Sequence, residues 1–257
     1  MKLLGRHWDE IRRRLSRRSV FVFLDFDGTL APIVSTPHQA RTSGRVMRAL
    51  EVLAALPRAR VAVMSGRPLA FIRDRFRAPR LYFGGNHGLE MRGPGLVFRH
   101  KGAAVIRPTI RALADKAKTA FAGFHGVLIE NKGLTMAVHY RRMPPSFRRR
   151  FNGAMATFRR GTASLPVRWR RGKKVWEALP RAEWDKGRAL TELLRRTGLA
   201  VPVAVGDDVT DEDMFRATGR KGVSVRIGKS GESRAMYYLP RQNEVPRFLA
   251  MLTEVLK

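Results

Sequence analysis

Four short stretches carry side chains that could do chemistry together. Asp25 and Asp27 lie two residues apart in Asp25-Phe26-Asp27-Gly28-Thr29-Leu30, and Ser65-Gly66-Arg67 joins a hydroxyl, a glycine turn and a guanidinium. Lys186 precedes Gly187, and Asp207, Asp208 and Asp211 are followed by Glu212 and Asp213. Carboxylates this close repel unless a cation or a basic side chain sits among them, so the spacing asks for a divalent metal. Asp-Gly is also a common turn, and the first pair alone leaves an acidic turn and a metal site equally open. The second cluster decides for the metal: five acids in seven residues repel too strongly for a purely structural turn unless a cation neutralises some or several point to water.

Taken together, these groups suit phosphoryl transfer. With magnesium held by oxygens of Asp25 and Asp207, Asp25 could attack phosphorus despite the negative charge on both. Lys186, Ser65 and the turn at Gly66 and Arg67 would hold the remaining phosphate oxygens. Asp27 would protonate the leaving alcohol and later take a proton from water, a division that needs two carboxylates in different surroundings. Ser65 has a plainer reading as the N-cap of the helix that follows it.

Each cluster follows an apolar run. Val20-Phe21-Val22-Phe23-Leu24 is apolar on both faces, as in a buried strand of a mainly parallel sheet, where ligands collect at the carboxyl ends. Val61–Met64 runs into Ser65, Val201–Val205 into Gly206-Asp207, and Leu81-Tyr82-Phe83 into Gly84-Gly85-Asn86-His87-Gly88, whose glycines mark tight turning or close approach to a ligand. Val223-Ser224-Val225 reads as a further strand. Helical spacing recurs between the strands at Val46, Leu50, Leu53 and Leu56 before Pro57, at Leu69, Ile72 and Phe76, at Leu190, Leu193 and Leu194, and at Val245, Phe248, Leu252 and Leu256. The alternation predicts an α/β fold with a Rossmann-like parallel-sheet core and both acid clusters at one edge. Ala31 to Ala40, with Pro32 and Pro37, reads as a loop.

From 102 to 181 the order changes to helix, two strands, helix, two strands, an α+β unit of its own. The predicted division is a core from 1–101 with a basic leader at 1–19, an inserted α+β cap at 102–181, and the rest of the core at 182–257. In the leader, Trp8, Ile11 and Leu15 suit a short amphipathic helix packed on the core; a polyanion-binding arm is the sharper alternative.

The chain has 257 residues, 44% of them hydrophobic, enough for real cores, and no cysteine, which excludes disulfides and thiolate metal sites. No apolar run approaches the ~20 residues that span a bilayer, so a soluble protein is expected, and the lack of cysteine is compatible with the cytoplasmic location expected of it. Ser16-Arg17-Arg18-Ser19 imitates a twin-arginine export signal, but the apolar run after it stops at Asp25 inside the candidate site. The net charge of +30 raises polyanions as partners. The segment 102–181 alone holds 18 Lys and Arg against 3 Asp and Glu. Aromatics are not interleaved with the basic runs and no nucleic-acid module is recognisable, so nucleic acid is not the expected partner.

The four stretches, in this order, resemble the motifs of haloacid dehalogenase superfamily phosphatases, and within that superfamily the trehalose-6-phosphate phosphatase family. The resemblance implies that Asp25 is phosphorylated, that Asp27 is the acid and base and binds magnesium through its backbone carbonyl, and that Asp207 is a further ligand. It places Asp208 and Asp211 on metal-bound water or beside Lys186. Looser matches at Gly85-Asn86-His87-Gly88-Leu89-Glu90, Glu130-Asn131-Lys132, His139-Tyr140-Arg141 and Trp176-Glu177 imply a sugar phosphate substrate. By that likeness Lys132, His139 and Glu177 contact glucose hydroxyls, Arg67 lies near the phosphate, and Asn86, His87 and Glu90 lie where cap meets core. The substrate would come from a separate trehalose-phosphate synthase. Two other readings stay open: a phosphatase of sucrose phosphate or mannosyl-3-phosphoglycerate, and a polyanion-binding protein on the same fold.

Overall fold

The apolar run that ends at Asp25 lies at the centre of a nine-stranded sheet, every residue of it buried. The structure is a computed structural model that describes residues 1–34, 39–76, 78–198 and 200–257; Pro37 lies outside them. It divides into two units, Met1–Phe98 with Trp184–Lys257, and Arg99–Glu183.

In chain order the elements are β1 (Lys2–Leu3), α1 (Trp8–Leu15), β2 (Val20–Asp25), α2 (Gly44–Ala55), β3 (Ala59–Met64), α3 (Leu69–Arg73), β4 (Tyr82–Gly85), β5 (Glu90–Gly93) and β6 (Leu96–Arg99). Then come α4 (Ala103–Phe121), β7 (Leu128–Asn131), β8 (Met136–His139), α5 (Arg148–Gly161), β9 (Val167–Gly172) and β10 (Val175–Pro180). The chain closes with α6 (Lys186–Thr197), β11 (Val201–Gly206), α7 (Glu212–Thr218), β12 (Val223–Ile227), β13 (Tyr237–Leu239) and α8 (Val245–Leu256).

The main sheet runs β1-β13-β12-β11-β2-β3-β4-β5-β6. It is parallel from β1 through β4, and β5 turns back antiparallel to β4. Alternation along β2 builds both sides of it. Val20, Val22 and Leu24 join a core with residues of α1, α2 and α8, whereas Phe21 and Phe23, stacked at 4.4 Å, join one with residues of α6 and α7. A strand covered on both faces has to be apolar throughout, which is why the only acid in β2 is its last residue. α2 starts at Ser43, whose side chain accepts the N–H of Val46 at 3.3 Å. α6 starts at Asp185, whose Oδ1 accepts the N–H of Arg188 at 2.8 Å.

In the second unit a four-stranded antiparallel sheet, β7-β8-β10-β9, carries α4 and α5. Phe121, Phe124, Tyr140, Phe151, Phe158 and Trp169 form a chain of ring contacts with these helices. Register sets Glu130 beside Ala137, Ala137 beside Glu177 and Glu177 beside Arg170, a polar row across the sheet.

Some expectations change. The helix expected over Leu69 to Phe76 is helical only to Arg73, although Phe76 is still buried. The strands β1, β5, β6 and β13 were not anticipated, being two to four residues long and so too short for periodicity to register. The leader is folded onto the first unit, as the spacing of Trp8, Ile11 and Leu15 predicts: Leu4, Ile11 and Leu15 are buried, and Lys2–Leu3 pairs with Tyr237–Tyr238. Ile11→Ala should therefore destabilise the protein by about 2–4 kcal/mol in urea unfolding, where a dangling arm would lose almost nothing.

Candidate active site

Register brings the clusters together. Asp25 pairs with Met64 and Leu24 with Val205, so Asp25, Ser65 and Asp207 leave three adjacent parallel strands at the same edge. Met64 pairs with Gly84, which adds the turn at Asn86 to that edge.

Lys186, the first residue of α6, is 2% exposed. Its Nζ donates to Asp25 Oδ1 at 2.6 Å and to Asp211 Oδ1 at 2.7 Å. The other oxygen of Asp211 accepts the backbone N–H groups of Asp207 and Asp208 at 2.9 and 3.0 Å. Asp211 thus shapes the turn and anchors the lysine at once. Burial pushes the Asp25 carboxyl well above its ordinary range, Asp211 and Asp207 push it further, and Lys186 opposes them. Burial alone would depress Lys186, but Asp211 and Asp25 outweigh it and hold the ammonium firmly charged.

Asp207 reaches this group because residue 28 has no side chain. A Cβ on Gly28, where φ is +92°, would stand 2.4 Å from the Asp207 carboxylate. Gly206 does the same for Asp211, whose carboxylate would lie 2.3 Å from a Cβ there. Two further acids of the cluster have basic partners: Glu212 meets Arg226 at 3.0 Å and accepts the N–H of Arg234, and Asp213 lies 3.7 Å from Arg216. Much of the self-repulsion expected from the sequence is therefore relieved by basic side chains.

Asp25, Asp207 and Asp211 can each offer an oxygen within 4.8 Å of the others. Three carboxylates against one ammonium leave an excess of negative charge, and the donors are all hard oxygens, a set that fits magnesium. Both oxygens of Asp211 are engaged, so the protein oxygens for a cation would come from Asp25 and Asp207. The Asp27 side chain is not in this group. Arg67 holds it in a two-point pair, Nε to Oδ2 at 2.9 Å and Nη2 to Oδ1 at 2.7 Å.

Ser65 Oγ accepts the N–H of Arg67 at 3.1 Å, closing a turn, while Pro68 takes the helix N-cap position without a side-chain bond. The N-cap reading of Ser65 is thereby replaced by a local hydroxyl turn. Asn86 N–H donates to the Arg67 carbonyl at 2.7 Å and His87 N–H to the Ser65 carbonyl at 2.8 Å, fastening Gly66 between them. Asn86, His87 and Gly88 all have positive φ, an uncommon backbone for the first two. Glu90 opens β5 and is half-buried.

In the second unit Lys132 Nζ donates to Glu177 Oε1 at 2.6 Å, both buried, and His139 Nε2 lies 2.7 Å from Glu130 Oε2. The structure thus groups the predicted residues as Asp25, Lys186, Asp207 and Asp211; as Asp27 with Arg67; and as a polar sheet face. Sequence reasoning missed the Arg67–Asp27 pair and the bond from Gln242 Nε2 to the Thr29 carbonyl at 3.0 Å, which ties down the loop after Asp25.

A family model described as trehalose-phosphatase matches residues 23–242. The chain belongs to the trehalose-phosphatase family. It is 34% identical over 253 residues to the trehalose-phosphate phosphatase of Mycobacterium tuberculosis (strain H37Rv), an alignment covering 95% of this chain and 63% of that one. The chain therefore spans just under two thirds of the length of that relative. Its fold matches the C-terminal domain of C. albicans trehalose-6-phosphate phosphatase with a TM-score of 0.84 and 25% identity over 98% of each chain. A haloacid dehalogenase-like hydrolase from Bacteroides thetaiotaomicron shares the fold at a TM-score of 0.62 and 16% identity, over 92% of this chain and all of the other. The trehalose-phosphatase fold is thus the expected α/β core of haloacid dehalogenase type. Among the described residues no helix is long and apolar enough to cross a membrane.

Because Lys186 holds two buried carboxylates, Lys186→Met should cost about 3–5 kcal/mol in chemical denaturation, more than deleting a typical surface ion pair.

Proposed function

We propose that this chain is a magnesium-dependent phosphatase that hydrolyses trehalose 6-phosphate through an aspartyl-phosphate intermediate. The observation that carries the reading is the Asp25 carboxylate, buried at a strand end and held by Lys186 at 2.6 Å beside Asp207, in a chain of the trehalose-phosphatase family.

Asp25 would form a bond to phosphorus through the oxygen not held by Lys186, while the bond from phosphorus to the sugar oxygen breaks. That oxygen takes a proton from Asp27 and departs as the alcohol. Water then attacks the phosphorus, giving its proton to Asp27, and phosphate leaves as Asp25 is restored. Lys186, Ser65 and the turn at Gly66 and Arg67 would grip the phosphate oxygens. Asp27 can act as an acid only after parting from Arg67, so binding of the phosphate to Arg67 and release of Asp27 would go together.

Magnesium, held by Asp25, Asp207 and the backbone carbonyl of Asp27 with Asp208 near its waters, would supply positive charge against the phosphate. Asp211 is a positioning residue for Lys186. The second unit would act as a cap that selects the sugar: Lys132, His139 and Glu177, on or beside the polar sheet face, suit hydroxyl recognition, with Asn86, His87 and Glu90 bordering the sugar site. A separate synthase would supply the substrate in the cytoplasm.

The deciding assay is phosphate release from trehalose 6-phosphate beside glucose 6-phosphate, sucrose 6-phosphate and mannosyl-3-phosphoglycerate, with magnesium and with a chelator. Trehalose 6-phosphate should be strongly preferred, chelation should stop turnover, and Asp25→Asn should abolish it with the fold intact. Preference for another substrate would overturn the specificity; normal turnover by Asp25→Asn would overturn the nucleophile.

Added magnesium should raise the melting temperature of the wild type and leave Asp207→Asn nearly unmoved, a readout independent of catalysis. Lys132→Ala and Glu177→Ala should lower kcat/KM for trehalose 6-phosphate at least about tenfold more than for an aryl phosphate, and equal losses would count against the cap's role.

A further inference from the structure

The second unit contains a cavity of about 400 Å³ beside the C-terminal end of α5 and the edge strand β9. Its lining includes Arg159, Arg160, Arg168, Arg181, Thr162 and Trp169, and among the described lining residues there is no Asp or Glu. It shares no residue with the carboxylate cluster or with the polar row of Glu130, Glu177 and Arg170.

Part of this lining is held in place by the protein. Thr162 Oγ1 accepts the Trp169 indole N–H at 3.1 Å and donates to the Arg159 carbonyl at 3.0 Å, which fixes the indole against the end of α5. Arg181 Nη2 donates to the Ala163 carbonyl at 2.9 Å, and Arg160 Nη2 to Thr157 Oγ1 at 3.1 Å. The Arg159 guanidinium lies 4.4 Å from the centre of the Trp176 ring, and its Nε is buried with no protein acceptor. A guanidinium carries five N–H donors, and the buried Nε of Arg159 is one that the protein leaves without an acceptor. Like charges around one cavity repel, and a buried N–H without an acceptor is costly. An anion with several acceptor oxygens relieves both, and the planar fork of arginine matches phosphate best.

We propose that this cavity binds a small phosphate dianion, either inorganic phosphate or the phosphate end of a small ester, at a site additional to the one that turns over substrate. Its volume lies in the range of small-molecule pockets, and Trp169 offers a flat apolar wall beside the charged groups. Nothing in this assignment depends on which ester the carboxylate cluster hydrolyses.

The test uses the full chain with ¹⁵N-labelled indoles, four in number, of which Trp169 is identified by Trp169→Phe. Sodium phosphate and methylphosphonate, an ester stand-in that cannot be hydrolysed, are titrated against sodium chloride at matched ionic strength. The Trp169 signal should move saturably with phosphate or methylphosphonate and not with chloride, and the tighter of the two names the source. Arg160→Gln with Arg181→Gln, both exposed and so tolerable to the fold, should weaken binding at least about tenfold. Arg159→Gln should weaken it further, whereas Ser65→Ala in the other phosphate turn should leave the Trp169 titration unchanged. A still signal, a shift that chloride reproduces, a shift that survives the arginine variants, or a response to an oligonucleotide alone would each overturn the site.

Discussion

One ammonium group, almost wholly withdrawn from water, makes the candidate site possible. Asp25, Asp207 and Asp211 could not share so small a buried space without Lys186 between two of them, and Lys186 could not stay charged there without them. The rest of the first unit serves that arrangement. Parallel register ends three strands side by side, Asp185 caps the helix that begins with the lysine, and two glycines let carboxylates approach backbone that any side chain would block.

The two carboxylates of the first motif show how far surroundings can separate like groups. Asp25 closes a strand and lies 5% exposed among other acids, while Asp27 lies beyond the strand end, half-buried against a guanidinium. One is made difficult to ionise by burial, with the Lys186 ammonium opposing that; the other is paired with the Arg67 guanidinium. A nucleophile and an acid need this kind of difference, and a two-residue spacing across a strand end provides it.

Legibility in the sequence followed the length of the signal. β2, β3 and β11 are short but continuous in their apolar character and end in chemistry, so their shared edge could be inferred before any coordinates. The meeting of Lys186 with Asp25 spans 161 positions and was reached through motif order rather than contact. The Arg67–Asp27 pair, 40 positions apart, left no trace in spacing, because an arginine after a glycine turn suits a phosphate as well as a carboxylate. Ser65 suits a phosphate turn and an N-cap alike in sequence, and of the two only the cap position goes elsewhere, to Pro68. The hairpin of β5 and β6 was missed since four-residue strands with charged members look like loop. The helix of the basic leader was legible in Trp8, Ile11 and Leu15, whereas its two-residue strand was not.

That smallest strand has a disproportionate part to play. Lys2–Leu3 is the last strand on one side of the main sheet, pairing with an edge whose own residues are Tyr237, Tyr238 and Leu239. A bare edge of two tyrosines and a leucine is a template on which other chains can add strands, and a stub of two residues bearing a lysine is a poor one. The Lys2–Leu3 pairing thus covers Tyr237 and Tyr238 and leaves a shorter, lysine-bearing edge in their place.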